Sequence, residues 1–307
     1  MKFIFSILCL LCVQLSIAQE AGLPILTNFN KVRDFTISNN QSEAYFTVQS
    51  PNEELSGIFK TRKVKGEWQE ATLVSFSGEF KDLEPFLSPN GLQLYFASNR
   101  PLLVSDTKTK DFDIWVVERK SISDKWSEPR NLGAPINSVH NEFYLSIANS
   151  KNMYFTSDRP SAKGKDDIFL SEWKDDKYQD AISISPAINT ESYEYNSYIA
   201  PDESFMLFGA YKRADGLGSG DIYISFNEDG KWSLAKNLGG NVNSKYMDYC
   251  PFVDWTTKTL YFTSKRSILK ADKKLNSSEF LNEVNSYNNG LSRVYKMDIS
   301  TLLNEFK

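Results

Sequence analysis

Histidine and cysteine are nearly absent from this chain, with one and three respectively among 307 residues. The single histidine, His140, excludes a metal site built on several imidazoles, and any Ser–His–Asp triad would depend on it alone. Its surroundings, Asn137-Ser138-Val139-His140-Asn141, contain no nucleophile motif, and a lone histidine in a polar connection reads as a surface residue. Cys9 and Cys12 both lie near the N-terminus, so Cys250 stands alone in the rest of the chain. One thiol makes neither an internal disulfide nor a cysteine-based metal cluster. A basic surplus is missing too: 35 Lys and Arg face 39 Asp and Glu, and a pI near 5.3 offers no electrostatic footprint for nucleic acid. The one long apolar run, Phe3 to Val13, is broken by Ser6 and is too short to span a bilayer, which needs ~20 residues.

That run reads instead as the core of an export signal over residues 1–18. Lys2 supplies the positive start, and Ser16-Ile17-Ala18 supplies small residues before a cleavage that leaves Gln19 first. Acylation of Cys9 or Cys12 is disfavoured, because Leu8 and Leu11 precede them where a lipobox wants a small residue. The chain after residue 18, with no further membrane-spanning segment, must be held together by its core. A composition of 41% hydrophobic and 14% aromatic residues supplies one.

An internal repeat organises that core. An apolar strand closing on an aromatic recurs five times: Ala44-Tyr45-Phe46, Leu94-Tyr95-Phe96, Met153-Tyr154-Phe155, Met206-Leu207-Phe208 and Leu260-Tyr261-Phe262, at steps of 50, 59, 53 and 54 residues. A shorter strand precedes each, separated from it by a tight turn such as Ser88-Pro89-Asn90-Gly91 or Ala200-Pro201-Asp202-Glu203, where Pro fixes φ and Asn and Gly take left-handed positions. A third strand follows in period two, as in Asp113-Ile114-Trp115-Val116-Val117. A fourth opens on Trp68, Trp126, Tyr178 or Trp232. Four short strands per repeat predict an all-β fold: a single propeller over 19–307, with blades at about 31–77, 78–136, 137–189, 190–243 and 244–301. The fifth repeat lacks its fourth strand, and residues 23–29 are expected to supply it and close the ring. A six-bladed alternative would need residues the chain does not have.

The run Glu84-Pro85-Phe86-Leu87-Ser88-Pro89-Asn90-Gly91, followed by Tyr95-Phe96-Ala97-Ser98-Asn99-Arg100-Pro101 and Asp113-Ile114-Trp115, resembles the WD40-like repeat of TolB-type propellers. Ser157-Asp158-Arg159-Pro160 and Ser264-Lys265-Arg266 repeat the pattern. The resemblance is weakest in the first blade, which has no Arg loop, and in the last, which carries a long insertion. It implies a periplasmic or cell-surface protein of a Gram-negative bacterium, in a family often used as interaction modules. Fold likeness does not fix function, so the site is argued separately.

A carboxylate or polar substitute enters each inner strand: Asp34, Glu84, Glu142, Asn196 and Cys250. These groups are expected to ring one mouth of the central channel. Asp34, Glu84 and Glu142 would then serve as the acid and base of a glycoside hydrolase. The competing structural reading pairs each acid with an arginine of a neighbouring repeat, Glu142 with Arg100 for example. Repetition in every blade favours the structural reading, since catalysis needs asymmetry. The connections on the same face carry His140, Glu142, Tyr193, Tyr195, Tyr246 and Asp248, amphipathic aromatics beside acids, which suit a protein, peptide or sugar surface. The ordinary alternative is that several of them are core.

No metal or cofactor is expected. Asp215 to Asp221 looks like a calcium loop but lacks alternating acids, and Asp221 aligns with Asp113 and Asp167 as a repeated structural aspartate. Ser225 to Trp232 resembles a sialidase Asp-box, yet no arginine triad accompanies it. The excursion Ile268 to Gly290 holds a candidate short helix over 278–284, with Phe280, Leu281 and Val284 on one side. The sequence therefore points to an exported, non-enzymatic propeller that binds a protein or peptide partner, with a carbohydrate-active enzyme or a structural envelope subunit as alternatives.

Overall fold

A computed structural model describes residues 20–103, 105 and 108–306; the expected export signal lies outside them. The described chain forms five antiparallel blades, each built outward from an inner strand, with a two-stranded ribbon, Trp173–Lys174 and Lys177–Tyr178, extending the third. The inner strands are Val32–Ile37, Asp82–Leu87, Glu142–Ile147, Tyr193–Ile199 and Asp248–Asp254. Each neighbours the next in chain order, and the last returns to the first, so they surround a central axis. The protein is a five-bladed β-propeller.

Second strands (Glu43–Gln49, Gln93–Ser98, Met153–Ser157, Phe205–Tyr211, Thr259–Ser264) are buried almost throughout, because neighbouring blades cover both of their faces. Phe46, Phe96, Phe155, Phe208 and Phe262 are among the largest fully buried side chains. Each such ring contributes ~1.5–3 kcal/mol over an exposed one. Outer strands are short, and in the first, third and fourth blades they run in two pieces, Glu67–Trp68 with Thr72–Leu73, Lys177–Tyr178 with Ile182–Ser183, and Lys231–Trp232 with Lys236–Asn237.

Closure of the ring is shifted from the expected position. The outer strand of the fifth blade is Glu20–Ala21, paired with Lys296 and Tyr295. Residues Pro24–Asn28, expected to be that strand, form a 3-10 helix that begins on proline. Pro24 has no N–H to give to a sheet ladder and suits a helix start. The segment still seals the seam, burying Leu23 and Leu26 against Val32 and Val294.

Two helices flank the last blade. Ser277–Val284 forms inside the excursion with a capping box between Asn276 and Glu279. Its Phe280, Leu281 and Val284 are exposed. Ile299–Phe306, not anticipated from the sequence, follows the final strand and buries Ile299 and Leu302 in the seam between blades four and five. No helix among the described residues is long and apolar enough to cross a membrane.

Candidate functional site at the channel mouth

Every inner strand breaks register at the same place, by a β-bulge after Arg33, Leu83, Phe143, Tyr195 and Tyr249. The residue that follows is held at positive φ: Asp34 52°, Glu84 60°, Tyr144 45°, Asn196 51° and Cys250 52°. Left-handed backbone is unusual for residues other than glycine, and here it recurs in all five blades because the bulge demands it. Those five side chains are buried at or near the axis.

This register corrects the sequence reading in the third blade. Tyr144, not Glu142, shares the position of Asp34 and Glu84. Glu142 sits two residues earlier, with Asp82, Glu194 and Asp248, and belongs to a different device. In blades two to five this acid takes a salt bridge from the arginine that follows the same blade's second strand: Asp82 from Arg100 (2.6 Å), Glu142 from Arg159 (2.8 Å), Glu194 from Arg213 (2.9 Å) and Asp248 from Arg266 (2.8 Å). The expected pairing of Glu142 with Arg100 is therefore replaced by an intrablade one. Each arginine also donates to a carbonyl of the preceding connection, at Phe76, Ile136, Ile188 and Val242.

At the axis, Arg33 organises the acids. Its Nε donates to Asp34 Oδ1 (2.7 Å), and its Nη2 donates to Glu84 Oε1 (2.7 Å) and Cys250 Sγ (3.4 Å). Asn196 Nδ2 donates to Glu84 Oε1 (3.1 Å), the Tyr144 N–H to Glu84 Oε2 (2.8 Å), and the Cys250 thiol to Asp34 Oδ1 (2.7 Å). Burial pushes the Glu84 carboxyl up to about 7, with Arg33 opposing and Asp34 adding to the rise. Burial also pushes the Cys250 thiol up, reinforced by Asp34. For Arg33 burial acts downward, but Asp34, Cys250, Tyr249 and Glu84 outweigh it and keep the guanidinium charged.

Ligand atoms of Asp34, Glu84 and Cys250 lie within 4.8 Å of one another, a spacing a metal ion would accept. The Arg33 guanidinium already bridges all three, which leaves the cluster neutralised by a resident cation. Below this layer the channel is plugged. The Tyr144 hydroxyl donates to the Pro251 carbonyl (2.9 Å), and the Tyr198 hydroxyl to that of Val253 (3.1 Å).

Above it opens a pocket of about 410 Å³. Its floor is Arg33, Glu84 and Asn196. Phe112, Phe143, Tyr195, Met247 and Tyr249 wall it, and Glu53, Lys81 and Asp166 reach its rim. Arg33 lies over the Tyr249 ring at 5.0 Å, and its Nη1 makes no hydrogen bond among the described residues. Tyr195 packs flat on Gly209, where a Cβ would come within 2.6 Å of its ring. Its hydroxyl is buried without a hydrogen-bond partner among the described residues.

Of the residues singled out from sequence, Glu84, Tyr195 and Asn196 line this pocket. Asp34 is buried behind the floor, its side chain 1% exposed. Glu142 and Asp248 are engaged by Arg159 and Arg266. His140 is half-buried in its connection, its N–H donating to Ser138 Oγ (3.1 Å). Tyr193 packs on Tyr211 at 5.7 Å, and Lys245 lies over Tyr246 at 5.2 Å, all outside the pocket lining. Sequence reasoning missed Arg33, Phe112 and Phe143. The available signal was positional, since Arg33, Leu83, Phe143, Tyr195 and Tyr249 are the residues immediately before the five bulges.

Neither a family model nor a curated protein matches this sequence. Solved structures share the fold at low identity. A glycoside hydrolase aligns with TM-score 0.58 and 11% identity, covering 92% of this chain and 90% of its own. The catalytic domain of an α-L-arabinofuranosidase from Coprinopsis cinerea aligns with TM-score 0.51 and 9% identity, covering 92% and 96%. A protein described as TolB from Agrobacterium tumefaciens aligns with TM-score 0.49 and 12% identity, covering 87% and 77%. At these identities the likeness extends to the fold alone.

Proposed function

We propose that this chain is an exported, non-enzymatic propeller of the bacterial envelope, and that its channel-mouth pocket receives a short segment of a protein partner. One observation carries the reading: the pocket is walled by aromatics, while the carboxylates beneath it are already committed to Arg33, Asn196, Cys250 and the Tyr144 N–H. Groups so engaged anchor a ligand through the spare Arg33 Nη1 and leave no free base to attack one. Aromatic walls with a few charged groups, Arg33 at the floor and Glu53, Lys81 and Asp166 at the rim, match the usual make-up of a recognition pocket.

The test is affinity capture from envelope extract with the tagged protein, set beside Phe112→Ala and Tyr195→Ala. The expected result is a protein retained by the parent and reduced about tenfold or more by both changes, a loss of ~1.4 kcal/mol in binding. Equal recovery from parent and variants, with melting temperatures unchanged, would overturn the assignment of the pocket.

A second reading, a carbohydrate-active enzyme, is favoured by one feature: a pocket-floor carboxyl, Glu84, raised to about 7, where an acid catalyst operates. Against it, Asp34 and Glu84 present oxygens within 4.8 Å, closer than the ~5–10 Å between glycosidase carboxyls, and an arginine occupies the space between them. Glycan turnover abolished by Glu84→Gln would restore this reading.

A further inference from the structure

Four of the five seams between blades are filled by a repeated device, the seam between blades four and five being filled instead by Leu207 and the C-terminal helix. A tyrosine in one blade's second strand meets the aromatic residue that opens the next blade's outer strand. Tyr45 meets Trp126, with rings 6.1 Å apart and Trp126 Nε1 donating to the tyrosine hydroxyl (3.2 Å). Tyr154 shares a cluster with Trp232, and Tyr261 with Trp68. Between blades two and three the pair is Tyr95 and Tyr178, so a smaller ring stands where the others have tryptophan. There Tyr95 turns its hydroxyl to Gln93 (3.0 Å), and Tyr178 meets Trp173 edge to face at 4.8 Å.

At this seam, on the face opposite the channel-mouth pocket, the surface opens into a groove of about 930 Å³. Its floor is apolar, made by Tyr95, Ile147 and Met153, with Trp173 and Tyr178 along one wall. Its rim carries Arg130, Lys151 and Lys177, and no carboxylate is among its lining residues. This runs against a chain with more acid than base. Lys151 lies over the Trp173 ring at 4.8 Å. Neither Lys151 nor Lys177 forms a salt bridge among the described residues, and Arg130 has only Glu118 at 3.7 Å, both well exposed. An exposed pair of that kind contributes little, so the three charges remain available to a ligand.

We infer that this groove is a second binding site, and that its occupant is an extended acidic segment of a partner protein, seating an apolar side chain on Met153 and Ile147 and setting carboxylates against Lys151, Lys177 and Arg130. Charge complementarity decides the sign of the occupant. The floor decides its class. A sugar needs an open aromatic face ringed by hydrogen-bonding groups, whereas here the Tyr178 ring is met edge-on by Trp173 and the floor is largely aliphatic.

The experiment is panning of a library of random short peptides on the intact protein, with counter-selection on Tyr178→Trp. That change installs the ring found at three other seams, which fills the groove. Lys151→Glu combined with Lys177→Glu is the second variant, and both are checked for an unchanged melting temperature. Recovered peptides are expected to be enriched in Asp and Glu around an apolar residue, to bind each variant about tenfold or more weakly, and to weaken as salt rises. Peptides without acidic enrichment, peptides that bind both variants as well as the parent, or a groove that takes oligogalacturonate in preference to them would each overturn the proposal. Tyr195→Ala alters neither the lining of this groove nor the hydrophobic cluster beneath it, so failure of the channel-mouth reading and failure of this one are distinguishable.

Discussion

Five residues share one backbone conformation at the bulges, yet their side chains are an aspartate, a glutamate, a tyrosine, an asparagine and a cysteine. The backbone is fixed by the repeat and the chemistry is free to vary, which is how a symmetric ring acquires an asymmetric floor. Glu84 shows the energetic consequence. Its carboxyl is raised to about 7 from an ordinary value of 4.5, chiefly by burial. A raised acid binds its proton more tightly in the folded protein than in the unfolded one. Its contribution to stability is therefore complete below pH ~4.5 and is lost as pH climbs through about 7. Each tenfold gain in proton affinity on folding is worth ~1.4 kcal/mol. Urea denaturation between pH 4.5 and 8 should therefore show the parent losing up to about 3 kcal/mol that Glu84→Gln does not lose. Parallel curves for the two proteins would show that Arg33 holds the carboxylate charged throughout.

At the scale of the blade, the acid–arginine pair staples the entry of the inner strand to the end of the second strand and to the preceding connection. Glu142 is fully buried and accepts from Ser138, Ser157 and Arg159. Arg159→Ala leaves that charge in the interior without its cation and should cost about 3 kcal/mol in urea denaturation, since breaking one side of a buried pair is far more damaging than exchanging both. A loss under about 1 kcal/mol would show that the two serines suffice. The strands themselves were legible in the sequence, because their aromatic closing residues and Pro-Asn-Gly turns recur at a nearly constant step. The partition of acids was not. Asp82 and Glu84 are two residues apart, and a regular strand would put both on one face. The bulge sends the first to Arg100 and the second to the axis. Glycine, the usual announcement of a left-handed residue, stands at none of the five bulge positions. Part of the pocket wall was hidden for the same reason, since Phe143 reads as an ordinary inner-strand residue until the bulge turns it to the mouth. The closing strand lies a few residues before the expected one because Leu23 to Asn30 resembles Leu238 to Asn243, the end of a fourth strand and its exit, while the pairing segment is Glu20–Ala21.

Across the whole molecule, two cups sit back to back on a common plug. The channel-mouth pocket lies above the Arg33 layer. Below Tyr144 and Tyr198 is a cavity of about 240 Å³ lined by Phe86, Phe252 and Trp255. The plug separates them, so the axis works as a support for two surfaces. The ring is kept rigid by the short segment Glu20–Asn28. A variant beginning at Lys31 loses both the Glu20–Ala21 strand and the Leu23 and Leu26 packing, and it bares the edge of Arg293–Asp298. It should melt at a lower temperature and associate through that edge, a change read by light scattering. An equally stable monomer would mean that blade five is self-sufficient. The pairing of Glu20 with Lys296 also has a kinetic meaning. Four blades can assemble from neighbouring sequence, but the last step joins residues separated by almost the entire chain. The search for that contact comes at the end of folding, and until it succeeds the edge of Arg293–Asp298 is unpaired and the facing sides of blades one and five are uncovered. Its vulnerability to aggregation is thus concentrated in the interval between the fourth blade and the latch.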